Sequence, residues 1–219
     1  MKKIHIITIT LLVGFSNQAL SQITQIEYTP SNTKTDFSYF SIQPVAKNNT
    51  LSLSTIAFFQ KFYKKKEIAF EEVGVQTTGY WNFSESVSIG PTLYFNSVVG
   101  FSEKVTLIII KKTGKLTFVI NPSMAYLNSK KTFTAELFMQ MQFMQPLKKD
   151  WSFLAYTNLF TNWGGINEHL RSYQYLRIGL SKKNNQFGFS FNSDVYGIAP
   201  ILKMSAGVFF RKIIVSKNN

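Results

Sequence analysis

At 219 residues, with 45% hydrophobic and 16% aromatic side chains, the chain can build one packed domain, and its 21 Phe exclude a disordered polymer. It has no cysteine, which excludes disulfides, thiolate metal sites and a cysteine-borne lipid anchor. The formal charge of +13 admits nucleic acid, but the lysines fall between patterned segments, at Lys64-Lys65-Lys66, Lys111-Lys112, Lys130-Lys131, Lys148-Lys149 and Lys182-Lys183, and form no single stripe, so nucleic acid is not an expected partner.

Residues 1–21 read as a signal peptide, with a basic start at Lys2 and Lys3, a short apolar run over 4–14 and small residues at Ala19 and Ser21. Residues 22–219 then form a single domain. No later apolar run reaches the roughly 18 residues of a spanning helix. Residues 23–29 are a weak strand or a lead-in, and 37–46 are a better strand. In 51–63, Leu51, Leu53, Thr55, Ala57 and Phe59 share a face, although Ile56 and Phe58 interrupt the alternation. The segment 67–81 sets Val73, Val75, Thr77, Gly79 and Trp81 against Glu72, Gly74, Gln76, Thr78 and Tyr80. Residues 86–97 alternate as well, but Pro91 lacks the donor that a central strand uses, which predicts a bulge or local irregularity.

Residues 104–111 are nearly all apolar, and alternation assigns them no face. After the turn Lys112-Thr113-Gly114-Lys115, the segment 116–126 alternates again. The segment 132–143 organises the chain: Phe133, Ala135, Leu137, Met139, Met141 and Phe143 alternate with Thr134, Glu136, Phe138, Gln140 and Gln142. That period of two is a strand with one greasy face, and a strand of about 9–11 residues crosses a bilayer when tilted. Then come a strand at 151–162, a loop at 163–170, a strand at 171–181, a short turn at Lys183-Asn184-Asn185, and strands at 186–196 and 203–214. No helix of normal length is expected.

Counting from Leu51 gives ten strands, and including the first two gives twelve, which is favoured. An even number with both ends periplasmic puts the 163–170 loop outside the cell. Alternation fits a soluble barrel with an apolar interior or a transmembrane one with an apolar exterior. Three features favour the second: the polar faces are mostly uncharged Ser, Thr, Asn, Gln, Gly and Tyr, aromatics recur at strand ends, and a secretory signal precedes every strand.

Through that signal and the hairpins over 51–214, the chain resembles the small outer-membrane β-barrel proteins of Gram-negative bacteria. The resemblance implies an all-β, antiparallel up-and-down transmembrane barrel in the cell outer membrane, porin-like, with outer-membrane lipid and a small solute or ion as partners. Such barrels usually finish on an aromatic residue, whereas this chain runs on from Phe209-Phe210 through Ile213-Ile214-Val215 to Asn219.

Polar faces that line a lumen place Glu72, Glu136, Arg171, Arg177, Asp194 and Arg211 inside it, with Arg177 and Asp194 as a diagonal pair across a short turn. In a narrow barrel such groups are expected to plug the interior by pairing rather than to form a selectivity ring. No metal or cofactor site is expected. His169, with Ser172 and Glu168 nearby, is the one candidate for hydrolysis, but no Gly-x-Ser-x-Gly accompanies it and catalysis is not expected. The function read from the sequence is therefore a narrow pore or a structural or interaction barrel without catalysis. The alternatives are an exported soluble β-barrel binding a small apolar ligand and a barrel hydrolase using His169.

Overall fold

The computed structural model describes residues 22–46, 48–127, 131–165 and 168–216, so the signal peptide expected at 1–21 lies outside the described residues. The chain folds into twelve strands: β1 Ile23–Pro30, β2 Lys34–Pro44, β3 Leu51–Phe62, β4 Glu72–Asn82, β5 Val87–Asn96, β6 Gly100–Thr113, β7 Leu116–Leu127, β8 Thr132–Pro146, β9 Trp151–Gly164, β10 Glu168–Lys182, β11 Asn185–Tyr196 and β12 Ile201–Val215. Each pairs antiparallel with its neighbours in sequence, and β1 pairs with β12, from Ile23 opposite Val215 to Tyr28 opposite Phe210. The weak first segment is thus a full member of the wall. It pairs with β2 on one side and β12 on the other, and β2 pairs in turn with β3, so both early segments belong to the ring and the count is twelve and not ten.

The apolar faces point outward. On β11, Phe187, Phe189 and Phe191 are exposed at 37%, 64% and 49%, while Ser190, Asn192 and Asp194 between them are at most 3% exposed. On β8, Phe133 and Met141 face out and Thr134 is buried facing in. A soluble barrel has the opposite arrangement, so an exported binder with an apolar interior is ruled out. A greasy outer wall of strands closed into a ring, so that no sheet edge is left open, is what a bilayer demands.

Several elements differ from expectation. The 67–81 strand starts only at Glu72, because Lys65–Phe70 form a short 3₁₀ helix. The 163–170 loop is largely absent: β9 runs to Gly164 and β10 begins at Glu168, with Glu168 opposite Gly164 and His169 opposite Trp163. Cross-strand pairing there outweighs the turn tendency of Gly164-Gly165, and a register shift between His169 and Arg171 absorbs the extra residue. The apolar run in β6 acquires its faces from its neighbours, with Ser102, Lys104 and Thr106 buried inward and Phe101, Val105 and Ile109 outward. At Pro91 the irregularity is a gap and not a bulge. Thr78 pairs with Thr92 and Trp81 with Ile89 in one register, while the two pairs between them lapse. Pro122 in β7 does the same to β6, between the pairs Thr106–Ser123 and Ile109–Ile120.

Candidate functional site

The interior charges gather toward the end of the barrel away from the chain termini. Lys34, at the start of β2, is 1% exposed, and its Nζ donates to Asp194 Oδ2 at 2.9 Å and Gln60 Oε1 at 2.6 Å and lies 3.2 Å from Asp36 Oδ2. Arg171 Nη2 donates to Asp194 Oδ1 at 2.8 Å, and Arg171 Nη1 is paired with the Glu72 carboxylate. Arg171 is on β10 and Glu72 on β4, and five strands separate them in either direction around the ring. This ion pair therefore spans the full width of the lumen. Tyr175 adds a hydrogen bond to Asp194 Oδ1 at 3.0 Å, and the Tyr173 and Tyr175 rings stack with centroids 4.3 Å apart.

Two further clusters line the interior. Glu27 on β1 accepts from Arg177 Nε at 3.1 Å and from Arg211 Nε at 2.7 Å, and Arg177 Nη1 donates to Asn192 Oδ1 at 2.6 Å. Glu136 on β8 accepts from Lys104 Nζ at 2.5 Å, Asn162 Nδ2 at 3.1 Å and Ser123 Oγ at 3.2 Å. Hydroxyls of Thr78, Thr92 and Thr106 run across β4, β5 and β6 in contacts of 2.8 Å each. Toward the terminal end, Leu154, Tyr156 and Phe209 pack together with Met144 on the inner wall, and the Arg211 guanidinium lies 4.2 Å from the Tyr156 ring centre.

The 3₁₀ helix Lys65–Phe70 crosses the mouth at the charged end. Lys203 Nζ on β12 donates to Glu67 Oε1 at 3.0 Å, Phe70 packs on Tyr196 at 4.9 Å between ring centres, and Gln60 Nε2 donates to the Phe70 carbonyl at 2.8 Å. Inward groups on β4, β5, β6, β9, β11 and β12, Thr78, Thr92, Thr106, Leu154, Ser190 and Phe209 among them, are exposed by less than 2%.

All six charges singled out in the sequence stand among these inward groups. Arg177 and Asp194 do not pair, however. Arg177 is opposite Ser190 and Asp194 is opposite Tyr173, so several residues of strand length part them, and each takes a partner from another strand. The sequence reading omitted Glu27, Lys34, Asp36, Glu67, Lys104 and Lys203. For Glu27 and Lys34 the strands themselves were in doubt. Lys104 shares parity with Ser102 and Thr106, a signal that the surrounding apolar residues obscured.

His169 lies in β10 and not in a loop, on the outer wall. Its Nδ1 is 2.9 Å from the Gly197 carbonyl oxygen and its Nε2 is 2.9 Å from Ser172 Oγ, with Trp163 edge-on at 5.1 Å. The base is thus oriented by a main-chain carbonyl. Among the described residues no cluster of three or more His, Cys, Asp or Glu is placed to hold a metal ion.

No protein family and no curated protein matches the sequence. Solved structures do resemble the fold. A NanC porin superposes with a TM-score of 0.50 at 10% identity over 88% of this chain and 99% of that one. A KdgM porin gives 0.47 at 10% identity over 90% and 99%. An outer membrane channel from Pseudomonas putida F1 gives 0.45 at 9% identity over 91% and 98%. At such identity the NanC likeness speaks for fold alone, and the fold it shares with this chain is the closed β-barrel of a porin.

Proposed function

We propose that this protein is an outer-membrane β-barrel that forms a narrow pore held shut by its own side chains, with the charged end facing outward from the cell. The observation that carries the reading is the Arg171–Glu72 pair, which joins diametrically opposed strands. A barrel filled only for stability gains little from buried charge, because an ion pair inside protein repays its desolvation poorly compared with apolar packing. A polar plug, in contrast, can separate into water once its pairing is broken. Single-channel recording tests this. The wild-type barrel is expected to stay closed in a planar bilayer, and Glu72→Ala or Arg171→Ala is expected to conduct. Steady porin-like conductance from the wild type would refute closure. Silence from both correctly folded variants would favour a structural or interaction role, the reading supported by the apolar Leu154–Tyr156–Phe209 cluster at the other end.

A further inference from the structure

The rim at the charged end is stepped. β1 and β2 turn back early, where Ser31 bridges to Gly207 and Asn32 N donates to the Ala206 carbonyl at 3.0 Å, while β12 runs on past that level to Ile201 and pairs there with Tyr196 of β11. β3 ends low as well, with Phe62 opposite Lys34 and Tyr63 N donating to the Thr33 carbonyl at 3.1 Å. The 3₁₀ helix Lys65–Phe70 occupies this step. It leaves β3, crosses above the β1–β2 turn and meets the flank of the β11–β12 hairpin, before the chain returns to β4 at Glu72.

The far fastening of this strap is weak. Beyond the Glu67–Lys203 pair it consists of Phe70, whose ring meets Tyr196 and lies 4.9 Å from Lys203 Nζ. Glu67 is buried, yet only one of its oxygens is used: Oε2 is shielded and bonds none of the described residues. A carboxylate met on one side only gains hydration when it leaves such a place, so the docked strap is held by a small margin. Gln60 ties the strap to the charges beneath it. Its Nε2 donates to the Phe70 carbonyl and to the Tyr196 hydroxyl, at 2.8 Å each, and its Oε1 accepts from Lys34 Nζ at 2.6 Å and from Arg171 Nη2 at 3.4 Å, the guanidinium that also holds Glu72. Both donors and both acceptor sites of this buried amide are therefore engaged. Lifting the strap removes the Phe70 acceptor, and the stranded N–H recovers a partner only if Gln60 swings toward water and lets go of Lys34 and Arg171.

We infer that the Lys65–Phe70 strap is the gate of the pore, latched by Glu67 on Lys203, and that Gln60 makes its release and the parting of Arg171 from Glu72 a single event. The inference rests on the closed pore proposed above and adds where it opens. Neither Glu67 nor Lys203 touches Arg171 or Glu72, so a change at the latch opens the pore only if strap and plug are joined.

Single-channel recording of the full chain in planar bilayers tests it, with heat-modifiable gel mobility to verify that each variant is folded. Lys203→Glu sets a like charge against Glu67 and is expected to raise the open probability at least tenfold over the wild type, to the same unit conductance as Glu72→Ala. The exchanged pair Glu67→Lys, Lys203→Glu restores the latch in reverse and is expected to close the pore again. The native chain has no cysteine, so Glu67→Cys, Lys203→Cys carries the only thiols. This pair is expected to conduct, to fall silent when a short bis-methanethiosulfonate bridges it, and to conduct again when a reductant cleaves the bridge. Conduction by Glu72→Ala with silence from Lys203→Glu, conduction that survives the bridge, or equal conduction from Lys203→Glu and the exchanged pair would each overturn the gate while leaving the pore intact. Silence from Lys203→Glu and from Glu72→Ala, with conduction only when the two are combined, would make strap and plug independent barriers and overturn their coupling. Silence from the folded combination too would overturn the pore reading itself.

Discussion

Arg171 bridges two lumenal carboxylates, Glu72 on one side and Asp194 on the other. Arg171→Met leaves Glu72 without its cation in a poorly hydrated interior, whereas Asp194 keeps Lys34, and the expected loss is about 3–5 kcal/mol in urea unfolding from detergent, the range for breaking a buried pair. The double variant Arg171→Met, Glu72→Leu is expected to lose less than the two single changes summed, since neither charge is then abandoned. Two glycines offer a second contrast. A Cβ on Gly90 would fall 1.8 Å from the Gly79 carbonyl oxygen, while a Cβ on Gly79 meets nothing within 4 Å. Gly90→Ala is therefore expected to depress folding yield sharply, and Gly79→Ala to leave it near wild type, as read by the fraction of heat-modifiable protein. Neither consequence was legible in the sequence, where both residues simply occupied alternating positions. The partner of a lumenal charge is likewise set by strand register and barrel width, and these chose Glu27 for Arg177 over the nearer-looking Asp194.

At the scale of elements, legibility followed the contrast between faces. β8 and β11 were clear because greasy and polar residues alternate with hardly a break, and one-residue slippage would send every Phe of β11 into the lumen. β6 was opaque because Ile108 and Ile110 share the inward parity of Thr106, adding apolar bulk on both faces. β10 was misplaced at its start because two glycines look like a loop when the pairing of Glu168 with Gly164 is not known. The prolines were half legible: the lost donor at Pro91 was foreseen, whereas the strand tolerates it by omitting pairs with β4 while keeping register with β6. Pro91→Val restores a main-chain donor on an exposed outward position, and it is expected to stabilise the barrel by about 0.5–1.5 kcal/mol, the net value of one hydrogen bond, in the same urea titration.

At the scale of the whole molecule, the inverted distribution of polarity and the closed interior make separate demands on one experiment. The native sequence has no cysteine, so single thiols can be introduced cleanly. Phe189→Cys is expected to react with a lipid-soluble maleimide and Ser190→Cys, one residue away, to resist both that reagent and a water-soluble one. Labelling of Ser190→Cys from water would mean an open lumen, and labelling of it from lipid would mean that the wall faces the other way. The pairing of β1 with β12 has its own consequence. That seam is among the shorter ones in the wall, and it joins the first strand to be synthesised to the last. Loop-closure entropy is greatest for such a pair, so the cylinder zips shut late and slowly. Until then two raw edges invite strands from other molecules. Whatever escorts this polypeptide to its membrane must shield those edges through the whole of its passage.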